Sequence, residues 1–102
     1  MIKNNNYISI QGWMINDLNL SGNDLIVYAI IYGFTQDEKS WFEGSRQYLA
    51  DWCNSSRQGI DKNLNNLLSK NLIEKVSGEV GEICKYKCNP EHFPKNEPKK
   101  EG

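Results

Sequence analysis

Two amphipathic helix patterns follow each other directly between residues 45 and 75, and this pair constrains the fold more than any other feature of the chain. The first begins at Ser45, a residue type that caps helices, and ends at the polar break 53–55. The second starts after Ser55 or Ser56, either of which can accept from the first unpaired N–H groups of the helix. Its apolar residues recur at i, i+4, i+7 and i+8, which predicts one buried stripe: Ile60, Leu64, Leu67 and Leu68.

The opposite face of the second helix is polar. Side chains of this kind, on a helix held out from the core by a preceding helix, are suited to reading base edges in the major groove. The predicted DNA contacts on this face are Arg57, Gln58, Lys62 and Asn65. For Asp61 we predict a surface role or a salt bridge. The alternative is that all of these are solvated residues on a helix that only braces the core.

Several shorter patterns precede the helix pair. Residues 7–10 predict a short strand, and residues 13–20 predict one or two helical turns. Ser21 predicts the start of a long helix, with Asp24 three residues on as its capping-box partner. After a polar loop, residues 40–42 predict a brief strand. The predicted core face of the long helix consists of Leu25, Ile26, Ala29, Ile30 and Gly33, with Tyr28 and Tyr32 beside it.

A β-hairpin is predicted after the helix pair. Asn71 suits the left-handed position that closes a helix, and residues 72–76 are rich in strand-forming types. Residues 77–81 predict the hairpin loop, and residues 82–88 alternate as a strand does. Helices followed by such a hairpin predict an α+β fold: a winged helix-turn-helix of three or four helices with a small antiparallel wing.

Further candidate DNA contacts lie outside the exposed helix face. Lys85 and Lys87 fall on the outer face of the predicted wing, where they can contact phosphates or keep an edge strand from pairing with another chain. Ser55 and Ser56 are helix caps first, and either hydroxyl can also donate to a phosphate. Arg46 stands at a helix start, where N–H groups and the helix dipole favour an anion.

Composition limits the size and the kind of protein. A chain of 102 residues with 38% hydrophobic content supports one core, predicted over residues 1–90, with 91–102 as a flexible tail or the start of a linker. The net charge of −1 argues against a protein that coats nucleic acid by charge alone. The chain has neither an apolar run long enough to cross a membrane nor a signal-peptide pattern, so we expect a cytoplasmic protein.

The cysteines and the lone histidine do not predict a metal site. Cys84, Cys88 and His92 have a spacing that suggests ligands, but residues four apart in a strand lie roughly 13 Å apart, too far to share one ion. No phosphate-binding glycine loop, paired carboxylates or nucleophile motif is present, so we expect no cofactor and no catalysis.

A family resemblance rests on five short stretches: GWM at 12–14, SGNDL at 21–25, YGF at 32–34, QYLADW at 47–52 and KNLIEK at 70–75. With them, the chain from Tyr7 to about Lys87 resembles the N-terminal winged-helix domain of replication initiators, or replisome organisers, from phages and plasmids of Gram-positive bacteria. This domain is similar to the N-terminal part of DnaD-type primosomal proteins. The resemblance implies binding to double-stranded origin DNA or self-association, with helicase-loader contacts assigned to a C-terminal region.

The sequence departs from the family pattern in two places. It stops soon after the wing, so the loader-binding role is not carried over from the family. Many members have a basic, β-branched or hydroxylated run where this chain has Gln58-Gly59-Ile60-Asp61. We expect Gly59 to remove a side chain from the exposed helix face and Asp61 to repel phosphate, which together predict weak affinity for DNA.

The function expected from these patterns is that of a double-stranded DNA-binding domain of a replication initiator. The second helix of the pair would enter the major groove, the wing would rest on the backbone, and two copies would bind together. Two alternatives remain open at this point: a transcription regulator with the same fold, and a winged-helix module that binds protein or itself without strong DNA binding.

Overall fold

Four helices and a two-stranded antiparallel sheet form the described part of the chain, in a computed structural model that describes residues 2–37, 39–76 and 84–94. None of these helices is both long enough and apolar enough to cross a lipid bilayer. In chain order the elements are α1 (Gly12–Asn16), α2 (Gly22–Thr35), α3 (Arg46–Cys53), α4 (Arg57–Ser69), β1 (Ile73–Val76), β2 (Lys85–Cys88) and a 3₁₀ turn (Pro90–His92).

Helix α2 is the centre of the packed core, and it touches α1, α3, α4 and β2. Ala29 and Ile30 are buried as predicted, whereas Gly33 is exposed. The remaining buried positions of α2 are Val27, Tyr28, Ile31 and Thr35. Neighbouring elements surround the middle of α2, so its burial is not confined to the single predicted stripe.

The start of α2 differs from the predicted capping box. Ser21 is the N-cap, but its side chain accepts no hydrogen bond from the helix. Gly22 has a left-handed φ of 58°, which takes the first turn out of the geometry of a capping box. The Asp24 carboxylate instead accepts a hydrogen bond of 2.6 Å from the Asn63 side-chain amide, which joins α2 to α4.

The predicted strand at residues 7–10 is wrong. Tyr7 and Ile10 are 83% and 45% exposed, and the segment pairs with no strand in the described part of the chain. The strand β1 pairs with one edge of β2. At the other edge of β2, Phe42 and Tyr86 exchange backbone hydrogen bonds. The predicted strand at 40–42 therefore exists only as this single bridge.

The paired helices α3 and α4 form as the sequence predicts. The Ser45 hydroxyl accepts from the backbone N–H of Tyr48, and the Ser56 hydroxyl accepts from that of Gly59, so both helices have a side-chain cap. Asn54 closes α3 in a left-handed conformation with φ of 51°. The stripe on α4 faces the core: three of its members are fully buried and the fourth partly so, namely Ile60, Leu64, Leu67 and Leu68.

Gly59 packs against the turn that connects α3 and α4. The expectation that its missing side chain would leave a gap on the exposed face of α4 is therefore wrong. A Cβ at this position would lie 2.5 Å from the Ser55 hydroxyl oxygen and 3.4 Å from that of Ser56. The absence of a side chain at Gly59 therefore lets the connection between the two helices pack closely on the first turn of α4.

The second hairpin strand follows the predicted alternation. Asn71 has a φ of 62° at the end of α4, and β1 pairs with β2 in the register Ile73 to Cys88. In β2, Tyr86 and Cys88 are buried on one face, whereas Lys85 and Lys87 on the other face are only partly covered. Residues 77–83, which contain the predicted hairpin loop, lie outside the described residues.

The 3₁₀ turn after β2 packs on the domain, although the sequence places most of it in the predicted tail. Phe93 makes edge contacts with Trp13 and Tyr32, at ring distances of 6.0 and 5.1 Å. The Asn89 side-chain amide donates to the backbone carbonyl of Asn71, which fixes the chain where it leaves the hairpin. The division of the chain at residue 90 stays a prediction, because residues 95–102 lie outside the described residues.

The loop after α2 contains a carboxylate whose protonation we expect to lower stability in acid. Asp37 accepts hydrogen bonds from the backbone N–H groups of Lys39 and Ser40 and from the Ser40 hydroxyl, which lowers its pKa from 3.8 to about 2. Because the folded-state pKa is the lower one, its contribution is complete above pH 3.8 and is lost as pH falls through about 2. An NMR titration of the Asp37 carboxyl carbon is expected to give a midpoint near 2.

A midpoint for Asp37 at the ordinary value of 3.8 would contradict the hydrogen-bonded loop.

Candidate nucleic-acid interface

The outward face of α4 carries three of the four side chains predicted on this helix to read DNA. Arg57, Gln58, Lys62 and Asn65 are all exposed. At about 100° per residue, Gln58, Lys62 and Asn65 point away from the buried stripe. The predicted placement of Arg57 on the same face is wrong, because Arg57 falls in line with the stripe at the first turn of α4, where it lines the cleft toward α3 and the hairpin. Within the described ranges, no hydrogen bond or ion pair engages any of these four side chains. The face is therefore available to a ligand over its first three turns.

A cleft of about 480 Å³ lies between the start of α3, the edge of α4 and the hairpin. Its charged lining residues are Arg46, Arg57, Asp61 and Lys75. Three cations thus face one carboxylate, so the described lining is net positive. Lys75 was not among the predicted contacts, since the sequence indicates only an exposed strand position there and not that β1 faces α4.

Arg46 and Asp61 form an ion pair across this cleft. The guanidinium donates to the Asp61 carboxylate at 2.7 Å, and the two side chains are 49% and 44% exposed. The salt bridge predicted as one role of Asp61 is therefore present. Arg46, which we predicted as a phosphate contact at the start of α3, has this carboxylate as its partner.

Tyr86 lies beside the ion pair on the hairpin side of the cleft. Burial raises the pKa of its phenol, the nearby Cys84 and Asp61 raise it further, and Arg46 lowers it. The phenol is therefore neutral at physiological pH, and its ring provides an uncharged wall between the charged groups of α3, α4 and β1.

The two predicted lysines of the wing also have partners within the chain. The Lys85 ammonium lies 3.8 Å from a carboxylate oxygen of Glu43, and both side chains are well exposed. The Lys87 ammonium lies 4.8 Å from the centre of the Trp41 ring, a cation–π arrangement. Contact of these lysines with DNA stays a prediction.

The predicted serine contacts both lie at the start of α4. The Ser56 hydroxyl caps the helix by accepting from the Gly59 N–H at 3.0 Å, and the Ser55 hydroxyl donates to the Ser56 carbonyl at 3.2 Å. Ser56 is exposed and Ser55 is partly covered. The structure thus brings both serines to the same end of α4 as Arg57 and Gln58, and their contact with DNA stays a prediction.

Comparison with known proteins gives a fold and no family. No protein-family model matches the chain, and a search of curated proteins finds no match. Two solved structures are similar, described as "Structure of Rep-DNA complex" and "N-Terminal domain of DNA binding protein". Each is 15% identical to this chain and superposes with a TM-score of 0.59. Each match covers 83% of this chain and 75% of the solved chain.

At this level of identity the likeness establishes shared architecture. Four helices with a two-stranded antiparallel sheet, in the order described above, confirm the predicted α+β fold class. The chain is a winged helix-turn-helix in which α3 and α4 are the helix pair and β1 with β2 is the wing.

Proposed function

We propose that this chain is the double-stranded DNA-binding domain of a phage- or plasmid-type replication initiator. In the proposed complex α4 enters the major groove, the hairpin rests on the neighbouring backbone, and the domain catalyses no reaction. The observation that carries the proposal is the polar surface of α4. Gln58, Lys62 and Asn65 on its exposed face, and Arg57 in the adjoining net positive cleft, have no partner within the described chain.

The comparisons support DNA as the partner. One similar structure is that of a Rep–DNA complex, and the other is the N-terminal domain of a DNA-binding protein. The replication role rests on the resemblance to replication initiators in residues 7–87, and we extend it to this chain as part of the proposal. Cytoplasmic location follows from the same proposal.

The dimensions of α4 suit a short base-reading contact. Gln58 and Asn65 are seven residues apart, which at 1.5 Å per residue separates them by roughly 10 Å along the helix axis. With about 3.4 Å per base pair, this face spans roughly three base pairs. Gln58 and Asn65 suit adenine, and Arg57 and Lys62 suit guanine or phosphate.

The small number of available cations favours binding by two copies. Arg57, Lys62 and Lys75 are the cations of α4 and the cleft that have no ion-pair partner in the described structure. Three phosphate contacts give little affinity at physiological salt, whereas two copies on a repeated site double that number. We therefore propose self-association on DNA.

The test is to select duplexes from a random pool and to measure their affinity for the chain over a range of salt concentrations. For three phosphate contacts per copy, the logarithm of the binding constant is expected to fall with the logarithm of salt with a slope of about −3. Light scattering on the same samples reports the oligomeric state. Recovery of no duplex at low salt, together with a stable oligomer, would contradict the proposal and support a protein-interaction module.

A further inference from the structure

The basic side chains around the proposed DNA face fall into two groups. Arg46 has Asp61 as its partner at 2.7 Å, Lys85 has Glu43 at 3.8 Å, and the third member, Lys87, lies over an indole ring. These three lie on α3 and the hairpin. The cations on α4, and Lys75 on β1, have no such partner in the described ranges. The chain therefore occupies most of the charges on α3 and the hairpin and leaves those on α4 available.

We infer that Asp61 lowers the sequence-independent part of the affinity for DNA, by holding Arg46 and by placing a negative charge in the cleft. This inference rests on the proposed function. Affinity that does not depend on sequence comes from neutralised phosphates, whereas discrimination comes from base contacts. A carboxylate that removes one phosphate contact weakens every complex, so the remaining binding depends more on the side chains of α4.

The geometry explains why the carboxylate competes effectively with DNA. Arg46 is the first residue of α3, and its guanidinium reaches across the cleft to the second turn of α4. A phosphate that takes Arg46 must replace a charge-assisted hydrogen bond of 2.7 Å and must approach the Asp61 carboxylate that it displaces. Exchange of one anion for another, next to a repelling charge, yields little net affinity.

Loss of the Arg46–Asp61 pair is expected to change folding stability little, which makes the inference testable. Both side chains are about half exposed, and ion pairs of this kind contribute little to stability. Asp61→Asn keeps the shape of the side chain and removes its charge. A matched control is Asp17→Asn, which removes the same charge from an exposed position at the end of α1, a helix that packs on α2 rather than on α4.

The experiment compares wild type, Asp61→Asn and Asp17→Asn on a selected duplex and on a random-sequence duplex of the same length. For Asp61→Asn, affinity for the random duplex is expected to rise about three- to tenfold, and the salt slope is expected to steepen by about 1. Affinity for the selected duplex is expected to rise by a similar factor, because a phosphate contact is independent of sequence. Asp17→Asn is expected to match wild type.

The double variant Arg46→Ala/Asp61→Asn separates release of the arginine from loss of the charge. It is expected to return the salt slope to the wild-type value, because no guanidinium is left to take the additional phosphate. A salt slope and affinities unchanged in Asp61→Asn, or a slope equally steep in the double variant, would overturn the inference. Its failure differs from failure of the proposed function, in which wild type itself binds neither duplex.

Discussion

The triple variant Arg57→Ala/Gln58→Ala/Lys62→Ala is expected to bind its selected duplex at least about 100-fold more weakly than wild type. All three side chains are exposed on the first two turns of α4 and have no partner in the described structure. A bidentate base contact contributes roughly 1–3 kcal/mol of discrimination, and each lost cation also removes phosphate affinity. Fluorescence anisotropy with a labelled duplex at two salt concentrations measures the loss.

The chain offers a control of the same chemistry on another surface. The variant Lys3→Ala/Gln36→Ala/Lys39→Ala also removes two cations and one amide, all from exposed positions outside the cleft and outside α4. It is expected to lose far less affinity, while both triple variants unfold at temperatures close to that of wild type. An equal loss in the two variants would mean that net charge governs binding, and the assignment of α4 to the major groove would be wrong.

Leu64→Ala is expected to lower the free energy of unfolding by about 3 kcal/mol, within the 2–5 kcal/mol range typical of buried leucines. Leu64 is 2% exposed in the middle of α4, so alanine leaves a cavity where α4 meets the core. For a domain of this size such a loss is a large fraction of total stability. Urea unfolding followed by circular dichroism measures it.

A substitution two residues further along α4, at Asn66, is the control for this prediction. Asn66 is exposed on the same helix, and Asn66→Ala is expected to change the free energy of unfolding by no more than about 0.5 kcal/mol. If Leu64→Ala changed stability as little as Asn66→Ala, the stripe would not anchor α4. The polar face of that helix would then have no fixed direction.

Features determined by neighbours along the chain could be predicted from the sequence. Ser45 and Ser56 cap their helices because each hydroxyl bonds to a backbone N–H three residues on, within one helical turn. The spacing of apolar residues in α4 defines its buried face, and the alternation in β2 defines its two sides. The exposed half of the candidate site follows directly, because a helix with one buried face presents the other to solvent.

Features that depend on distant partners could not be predicted in this way. The segment 7–10 has a strand pattern, but it pairs with neither strand of the described sheet, and Phe42 occupies the outer edge of β2. Asp24 lies at a capping-box position, but its partner Asn63 is 39 residues away. The same holds for Arg46, whose partner lies on another helix. Periodicity does not carry this information, which only the packed structure supplies.

The bridge between Phe42 and Tyr86 links the wing directly to the segment that precedes the helix pair. The two residues hydrogen-bond in both directions, and α3 begins only four residues after Phe42. Bending of the hairpin would thus pull on the segment that leads into α3. In the proposed complex, the described part of the hairpin and α4 would meet a duplex as a preformed surface, because the conformational entropy of aligning them is lost during folding rather than on binding.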